Sequence, residues 1–352
     1  MVQAAAARAH TNIALIKYWG KRDDKLILPT STSLSLTLDS FYTDTRVSPA
    51  RGEDDQLILN GQVGGMQETS RVHDFINLFR NEARKKDYSG QETALCAAPI
   101  RVDSFNHVPT AAGLASSSSA FAALAWALRD YFGLADSMDD RILSTFARQG
   151  SGSATRSIFG GLVEWLYGSD SSDSYAYQID DGNWDLGMIV VALSTEHKKI
   201  SSRKGMKHTV DTSAFYPLWR HASEEDLAQA EAGIRNHDLD QLGRAMEANV
   251  MKFHATMFAA NPPITYLTSR SWEVIEYVWD LRERGISCYF TMDAGPNVKI
   301  LCHKSQATTL AEDLRTAFPD ALVWQAAAGS GPSNIEKGEW DKLYGGIIDY
   351  NI

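Results

Sequence analysis

Cysteine is scarce in this 352-residue sequence, in which only Cys96, Cys288 and Cys302 occur, widely spaced and without a CxxC pair. This spacing argues against a disulfide framework and against a zinc site built on paired cysteines. The nine histidines form no HExxH or comparable ligand spacing. The cysteine pattern fits a reducing compartment, and we expect the protein in the cytoplasm.

Long apolar runs and basic clusters are missing as well. The sequence has no run of roughly 18 apolar residues, and its start, MVQAAAARAH, lacks the apolar core of a signal peptide. The net charge is −10 and no segment is rich in lysine or arginine. We therefore expect no membrane and no nucleic acid as a partner. An anionic ligand would have to be attracted by a few local cations.

No Walker A motif occurs, yet one segment has the composition of a phosphate-binding loop. Residues 109–121, PTAAGLASSSSAF, contain Gly113 and four consecutive serines, and no lysine follows the glycine. The apolar residues from 120 to 132 recur with the spacing of one helix face. Hydroxyls and free N–H groups at a helix start bind anions, most often phosphate. A serine-capped helix without a ligand is the alternative.

Three further segments combine hydroxyl and cationic residues, and two of them also contain glycine. Residues 17–22 place lysines beside a tyrosine, which suits a phosphate or diphosphate. Residues 151–157, SGSATRS, offer hydroxyls and one arginine that can hold a carboxylate. Residues 198–204, KKISSRK, follow a predicted buried strand, where ligands often bind. Taken singly, each could be an exposed turn or linker.

One carboxylate stands apart from these segments. Asp293 follows the apolar residues 288–292 and precedes a Gly-Pro turn, so we expect it to be partly desolvated. Such a placement suits general-base work, although an aspartate that only forms a turn is the alternative. Together with the four anion-binding segments, Asp293 indicates a small polyanionic substrate and a nucleotide phosphate donor.

The hydrophobic patterns predict an α+β protein with two lobes, residues 1–185 and 186–352. In the first lobe they predict strands at 3–20, 34–38, 43–47, 57–59, 100–105 and 161–166, and helices from Thr69/Ser70, after the serines and over 139–148. Residues 168–183 are polar, and we interpret them as a surface loop at the domain seam. In the second lobe the predicted order is strand 187–193, helices from Ser223 and over 238–258 and 264–284, strands 288–292 and 298–302, helix 305–317 and strand 321–325, the pattern of an α+β sandwich.

These segments, in this order, resemble the diphosphomevalonate decarboxylases of the GHMP kinase superfamily. The resemblance is carried by ARAHTNIALIKYWGKRDDKLILPTSTSLSLTLD, PTAAGLASSSSAFAAL, GSGSATRS, SSRKGMKHT and MDAGPNV. The serine loop marks only the superfamily, whereas KYWGKR, SGSAxRS and SSRxGM are much narrower. The resemblance implies the two-lobed α+β GHMP kinase fold, with a ribosomal protein S5 domain 2-like N-terminal lobe and a ferredoxin-like C-terminal lobe, and a homodimer.

The resemblance also implies a reaction, namely ATP-dependent decarboxylation of (R)-5-diphosphomevalonate to isopentenyl diphosphate, ADP, phosphate and CO2, with Mg2+. The ATP phosphates are then expected at Gly113, Leu114, Ala115, Ser116, Ser117, Ser118 and Ser119, with the Ser117 hydroxyl assisting Mg2+. The substrate diphosphate is expected at Tyr18, Lys21, Ser202 and Arg203, and its carboxylate and C3 region at Ser151, Ser153 and Arg156. The expected catalytic residues are Asp293, beside the C3 hydroxyl, with Lys21 and Arg156.

The sequence departs from the family pattern at three places and leaves other activities open. ASSSS replaces the more usual ASSAS, Thr155 stands where many bacterial members have cysteine, and residues 30–33 lack the usual asparagine. These departures concern nucleotide contacts. The alternatives are a decarboxylase of the 5-monophosphate, a mevalonate 3-kinase and a non-catalytic nucleotide-binding protein. The diphosphate residues favour the larger substrate, and Asp293 with Lys21 argues against the 3-kinase.

Overall fold

Two large β-sheets, a small two-stranded sheet and the helices packed on the large sheets make up the computed structural model, which describes residues 4–86, 96–109, 114, 116–194 and 200–348. The strands are β1 Ala5–Ile16, β2 Lys21–Asp23, β3 Leu28–Pro29, β4 Ser33–Pro49, β5 Gln56–Leu59, β6 Gln62–Val63, β7 Ile100–Asn106, β8 Leu162–Trp165, β9 Ala176–Asp180, β10 Gly187–Ala192, β11 Cys288–Met292, β12 Val298–Cys302, β13 Leu322–Ala327 and β14 Ser333–Asn334. The helices are α1 Met66–Ala83, α2 Ser116–Tyr131, α3 Asp140–Gly150, α4 Ser202–Thr212, α5 Tyr216–Arg235, α6 Leu239–Phe258, α7 Ser269–Glu283, α8 Ala307–Ala317 and α9 Lys337–Tyr344, with 3-10 helices at Gly152–Ile158 and Lys304–Gln306. No helix within these ranges is both long and apolar enough to cross a bilayer.

The first sheet is built around the long antiparallel pair β1 and β4. Two separate strands were predicted at 34–38 and 43–47, and this prediction is wrong, because β4 continues through both. The register shifts between His10 and Asn12 of β1. Such an irregularity bends a strand without ending it, which lets the polar residues Asp39 and Ser40 stay exposed within β4.

Helix α2 packs across β1 and β4 with the apolar face that its spacing predicts. Phe121, Leu124, Leu128 and Tyr131 are all buried in one hydrophobic cluster. The burial of this face fixes the helix against the sheet. Helix α1 was predicted to begin at Thr69/Ser70, which is wrong: it begins at Met66 after an extended residue.

The second sheet has the strand order β11-β12-β10-β13 and is covered by α5 to α8. The continuous apolar segment 187–193 was predicted as a buried strand, and β10 confirms this. Three predictions here are wrong. Ser223 lies inside α5, whose start is set earlier by Pro217 in its first turn. Residues 168–183 include β9, which pairs with β8 and joins the first sheet.

The third error is that residues 202–212 form helix α4, where no helix was predicted. The side chain of Ser201 accepts a hydrogen bond from the Lys204 backbone N–H and caps the helix. The helix has few apolar residues, and only Gly205, Met206 and Thr209 are buried. Its apolar periodicity is therefore weak, which explains why the sequence pattern did not reveal it.

The end of the described chain returns to the first sheet. Strand β14 pairs with β1, and α9 packs Trp340 and Tyr344 against Phe105 of β7. The lobe boundary at residues 185/186 stays a prediction. The lobes also touch near the end of β1, where Asn249 of α6 accepts a hydrogen bond from the Lys17 backbone N–H at 2.9 Å. That contact holds the segment after β1 between both lobes.

Glu164 on β8 faces Glu231 of α5, and the Tyr177 hydroxyl donates to it at 2.9 Å. Burial raises the pKa of Glu164 from 4.5 to about 7, Glu231 adds to this, and the Tyr177 hydrogen bond opposes it. Between these values the folded protein holds a proton that the unfolded chain has lost. The free energy of unfolding therefore falls as pH rises from about 4.5 to about 7 and stays lower above that.

We expect Glu164→Gln to stabilise the protein at pH 8 by on the order of 1–3 kcal/mol and to change little at pH 5, where Glu164 is already mostly neutral. Urea unfolding at both pH values measures this. Glu339→Gln, an exposed change on α9, is the control. An equal effect of Glu164→Gln at pH 5 and pH 8 would contradict the assigned protonation.

Candidate active site

A cavity of about 560 Å³ collects predicted site residues from five distant segments of the chain. It is lined by the predicted residues Tyr18, Lys21, Ser117, Ser151, Ser153, Arg156, Ser202, Arg203 and Asp293. They come from the segment after β1, the start of α2, the 3-10 helix at Gly152–Ile158 with its cap Ser151, the start of α4 and the end of β11. Gly152 lets the 3-10 helix approach Tyr18, because a Cβ at this position would lie 2.8 Å from the tyrosine ring.

Asp293 is held between two buried lysines. Its Oδ1 lies 2.9 Å from Lys17 Nζ, and its Oδ2 lies 3.4 Å from Lys299 Nζ. Both lysine side chains are almost fully buried, whereas 32% of the Asp293 side chain is exposed to the cavity. Burial lowers the pKa of Lys17 from 10.5 to about 8, and the Asp293 carboxylate partly offsets this. The arrangement presents one anchored carboxylate to a ligand.

Arg156 is buried beside this group, and no carboxylate of the described residues forms an ion pair with it. Its guanidinium donates to Ser33 Oγ at 2.6 Å and to Asn12 Oδ1 at 3.4 Å, and its Nε has no hydrogen-bond partner in the described part of the chain. Burial lowers the pKa of Arg156 to about 10, which Asp293 and Tyr18 partly offset. A buried arginine with free donor capacity that lines a cavity can bind an anion such as a carboxylate.

The four serines of the predicted loop divide into two pairs, of which Ser116 and Ser117 line cavities at the start of α2. The Ser117 hydroxyl lies 3.2 Å from the Ser151 hydroxyl, which in turn lies 3.3 Å from that of Ser153, so these three form a chain along the cavity. Ser118 and Ser119 are fully buried, and their hydroxyls are hydrogen-bonded to Thr11 and Thr43. Contacts from this second pair to a nucleotide are therefore left to their backbone N–H groups.

The remaining loop residues contribute no described polar side chain. Leu114 is buried in the hydrophobic cluster that lies between the first and second sheets and offers an apolar side chain only. The predictions for Gly113 and Ala115 lie outside the described residues, as do Lys198 and Lys199 of the fourth segment.

The other end of the cavity carries the cations of the predicted diphosphate site. Lys21, Ser202 and Arg203 line it at the start of α4, where the helix dipole also favours an anion. The Tyr18 hydroxyl is buried there, and no described residue accepts or donates a hydrogen bond to it. Burial and the nearby Arg203 lower the pKa of Lys21. Arg22, from the same sequence segment, instead stacks on Tyr167.

A smaller, mostly apolar cavity of about 270 Å³ adjoins the start of α2 and shares Ser117 and Arg71 with the larger one. Leu57, Val72 and Phe121 are among its apolar walls. Its polar groups include Asn60, Ser104 and Asn106. A flat heteroaromatic ring fits such an apolar slot with a few polar groups. No sequence pattern predicts this cavity, because its walls come from five separate elements.

Several site residues were not among the predicted ones. Lys17 belongs to the KYWGKR segment but was not singled out, and Lys299 is the one charge within β12, VKILC, a signal that could have found it. Asn12 and Arg71 also line the main cavity, and His254 lies behind it. Burial and the Lys17 charge lower the pKa of His254 to about 3, so it is neutral. Among the described residues, no three His, Cys, Asp or Glu side chains are grouped to hold a metal ion.

Comparison with known proteins gives family matches over most of the chain. Residues 9–176 match the family model of the diphosphomevalonate decarboxylase-like N-terminal domain, and residues 188–340 match that of the mevalonate 5-diphosphate decarboxylase C-terminal domain. A diphosphomevalonate decarboxylase of Ganoderma lucidum is 38% identical over 341 residues, which is 91% of this chain and 83% of the relative.

Solved structures agree with this match. The crystal structure of mevalonate diphosphate decarboxylase from Staphylococcus aureus superposes with a TM-score of 0.87 at 42% identity, covering 96% of this chain and 99% of that one. A complex of MDDEF with MVAPP, AMPPCP and magnesium superposes with a TM-score of 0.86 at 43% identity, covering 95% and 99%. The expected two-lobed α+β GHMP kinase fold is thereby confirmed. The chain belongs to the diphosphomevalonate decarboxylase family.

Proposed function

We propose that this protein catalyses the ATP-dependent decarboxylation of (R)-5-diphosphomevalonate to isopentenyl diphosphate, ADP, phosphate and CO2. The observation that carries the proposal is the carboxylate of Asp293, anchored by Lys17 and Lys299 in a cavity that also holds Arg156 and a cluster of cations. Decarboxylation of this substrate needs an acceptor at the C3 hydroxyl, a cation at the carboxylate and cations at the diphosphate. The cavity offers all three kinds of group.

The substrate has a natural orientation in this cavity. Its diphosphate lies at Tyr18, Lys21, Ser202 and Arg203. The Tyr18 hydroxyl has no hydrogen-bond partner among the described residues, and the start of α4 favours an anion. Its carboxylate and C3 region lie at Ser151, Ser153 and Arg156, because the buried guanidinium has unused donor capacity. The C3 hydroxyl then faces Asp293.

The tertiary hydroxyl is a poor leaving group, so it is first phosphorylated. Asp293 accepts a hydrogen bond from the C3 hydroxyl and orients its oxygen toward the γ-phosphate of ATP. Two lysines hold the Asp293 anion in place, and the carboxylate accepts the C3 hydroxyl proton as the oxygen bonds to the γ-phosphorus and ADP departs. Departure of phosphate leaves positive character at C3, and the carboxylate electrons form the alkene as CO2 leaves.

Arg156 has to hold the carboxylate without stabilising it too strongly. Tight binding of the ground-state carboxylate would oppose the loss of its electrons, since only interactions stronger in the transition state accelerate a step. Ser33 and Asn12 already accept hydrogen bonds from the guanidinium, so only its remaining N–H groups are available to the carboxylate. The residual donors position the carboxylate and leave its charge only partly neutralised.

The nucleotide fits the two features at the start of α2. Its base lies in the apolar cavity beside Leu57 and Phe121, and its phosphates lie at the serine loop. Mg2+ prefers oxygen ligands and is commonly held by nucleotide phosphates with few protein groups. The Ser117 hydroxyl, which faces both cavities, fits this limited role, and bound Mg2+ would neutralise phosphate charge.

The finer properties rest on the family resemblance and on the cysteines. We infer a homodimer, which sedimentation analysis at several concentrations tests. We also infer a cytoplasmic location, because Cys96, Cys288 and Cys302 are buried and form no disulfide, as expected in a reducing compartment. Fractionation of source cells tests the location.

Release of CO2 from carboxyl-labelled substrates, with ATP and Mg2+, tests the proposed reaction. Labelled 5-diphosphomevalonate, 5-phosphomevalonate and mevalonate are compared in parallel, while ADP is measured in the same samples. We expect equal amounts of CO2 and ADP from the diphosphate. A preference for the monophosphate assigns the smaller substrate, ADP without CO2 indicates a kinase, and no product from any of the three overturns the proposal.

Arg203→Ala should raise KM for the diphosphate substrate by on the order of tenfold to a hundredfold, with little change in kcat. The reason is that Arg203 is proposed to bind the diphosphate and not the reacting C3 region, so it contributes uniform binding. Steady-state kinetics with saturating ATP measure both constants. Arg284→Ala, an exposed arginine on the second lobe, is the control. An unchanged KM would move the diphosphate site elsewhere.

A further inference from the structure

A larger cleft opens beside the candidate active site, with a volume of about 830 Å³. We call it the outer cleft. It shares the cations Lys21, Arg71 and Arg203 and the apolar residues Ile27 and Met206 with the active-site cavity, and it continues from them between α1 and α4. The proposed substrate ends at these shared cations, so the outer cleft is space that the proposed reaction does not use.

The floor of the outer cleft is apolar. Ile27, Phe75 and Met206 are buried beneath it, and Leu78 of α1 and Val210 of α4 are half-buried at its walls. If the space between α1 and α4 held only water, polar residues would be favoured at these positions. The apolar floor can instead cover a hydrocarbon chain, with a gain in free energy for each methylene removed from water.

The rim of the outer cleft is strongly cationic. It carries six cations, Lys21, Lys25, Arg71, Arg203, Lys204 and Lys207, and only three carboxylates, those of Asp24, Asp74 and Asp211. Asp211 is paired with Lys207 at 2.8 Å, and the exposed Asp24 lies 3.5 Å from Lys21. This local excess occurs in a protein of net charge −10. Burial and the charge of Arg203 also lower the pKa of Lys21 and of Arg71, so an anion placed between these groups would relieve the repulsion.

We propose that the outer cleft binds a diphosphate whose hydrocarbon tail is longer than the substrate's, with its head group at the shared cations and its tail along Leu78 and Val210. The position of the head group rests on the proposed function. Because the head group would occupy Lys21, Arg71 and Arg203, such a ligand excludes the substrate. The expected consequence is inhibition competitive with 5-diphosphomevalonate.

Calorimetric binding to the full chain tests the site without turnover. The probes are inorganic diphosphate, isopentenyl diphosphate and geranyl diphosphate. We expect geranyl diphosphate to bind at least tenfold more tightly than inorganic diphosphate, with isopentenyl diphosphate between them, because the tail buries apolar surface. Equal dissociation constants for the three probes would overturn the proposal.

A variant on the tail side locates the binding. Val210→Asp should weaken geranyl diphosphate about tenfold and leave inorganic diphosphate within twofold of the unmodified protein. Leu322→Asp, on an exposed position of β13, is the matched control. Unchanged geranyl diphosphate affinity in Val210→Asp would place the tail elsewhere and overturn the proposal. If the variant does not fold, the comparison of the three probes on the unmodified protein still tests the proposal.

Kinetics separate this inference from the proposed function. Geranyl diphosphate should raise KM for 5-diphosphomevalonate and leave kcat unchanged, whereas a lowered kcat would overturn the shared head-group site. If the protein releases no CO2 but the order of affinities holds, the proposed function fails and the outer cleft survives. If CO2 is released and the three probes bind equally, the proposed function stands and the proposed ligand of the outer cleft is overturned.

Discussion

Asp293→Asn is expected to lower kcat on the order of 10³-fold and to leave binding of 5-diphosphomevalonate within a few-fold of the unmodified protein. The asparagine has the size of aspartate but lacks the charge that orients the C3 hydroxyl. In the proposed orientation the substrate's diphosphate and carboxylate are held by other residues, so most of the binding energy should remain. Single-turnover measurements of ADP and CO2, with calorimetric binding, check both parts.

This substitution also leaves Lys17 and Lys299 without their carboxylate, so folding has to be controlled. Thermal unfolding of the variant, with and without substrate, shows whether the cavity stays intact. Asp280→Asn, at an exposed position on α7, is the matched control and should leave kcat unchanged. Near-normal turnover in a folded Asp293→Asn protein would remove Asp293 from the mechanism.

Asp293 could be identified from the sequence because its signal is local. An acidic residue directly after a buried apolar segment and before a Gly-Pro turn ends a strand at a surface cleft, and β11 has this form. The same local reasoning predicted β10, α2 with its buried face, and the short segments whose hydroxyls and cations line the cavity. Local sequence was sufficient there because each of these features lies within one continuous segment of the chain.

The partners of Asp293 could not be identified in this way. Lys17 and Lys299 lie 276 and 6 residues away from it along the chain, and only the contact between lobes and the pairing of β11 with β12 bring them to its oxygens. The hydrogen bonds that the buried Ser118 and Ser119 hydroxyls form within the fold could not be predicted for the same reason. Their identity suggested ligand contacts, but their partners Thr11 and Thr43 come from neighbouring strands.

Lys17 therefore gives the second large effect that the structure predicts. Lys17→Met should lower kcat on the order of 10²-fold to 10³-fold, because the methionine fills the same space but no longer anchors Asp293 Oδ1. Lys17 also donates to the Ala14 carbonyl at 2.8 Å, so its ammonium fixes the carboxylate against the backbone. We regard it as a positioning residue, since it acts on the substrate through Asp293.

The pH dependence of kcat distinguishes this role from a purely structural one. In the unmodified protein the lowered pKa of Lys17, about 8, means that the ammonium is present below this pH and is lost above it. We expect kcat to fall as pH rises through about 8, and this alkaline decline to be missing from Lys17→Met, whose kcat is low throughout. Lys17→Arg should keep its charge above pH 8 and move the decline upward.

Lys299→Met is the matched control, because it removes the other, longer ion pair of the same carboxylate. The 3.4 Å contact to Oδ2 is weaker than the 2.9 Å contact to Oδ1, so the loss in kcat should be smaller, and the decline near pH 8 should persist because Lys17 is still present. A decline that survives in Lys17→Met and disappears in Lys299→Met would assign the titrating ammonium to Lys299, and the anchoring of Asp293 would then depend on β12 and not on the segment after β1.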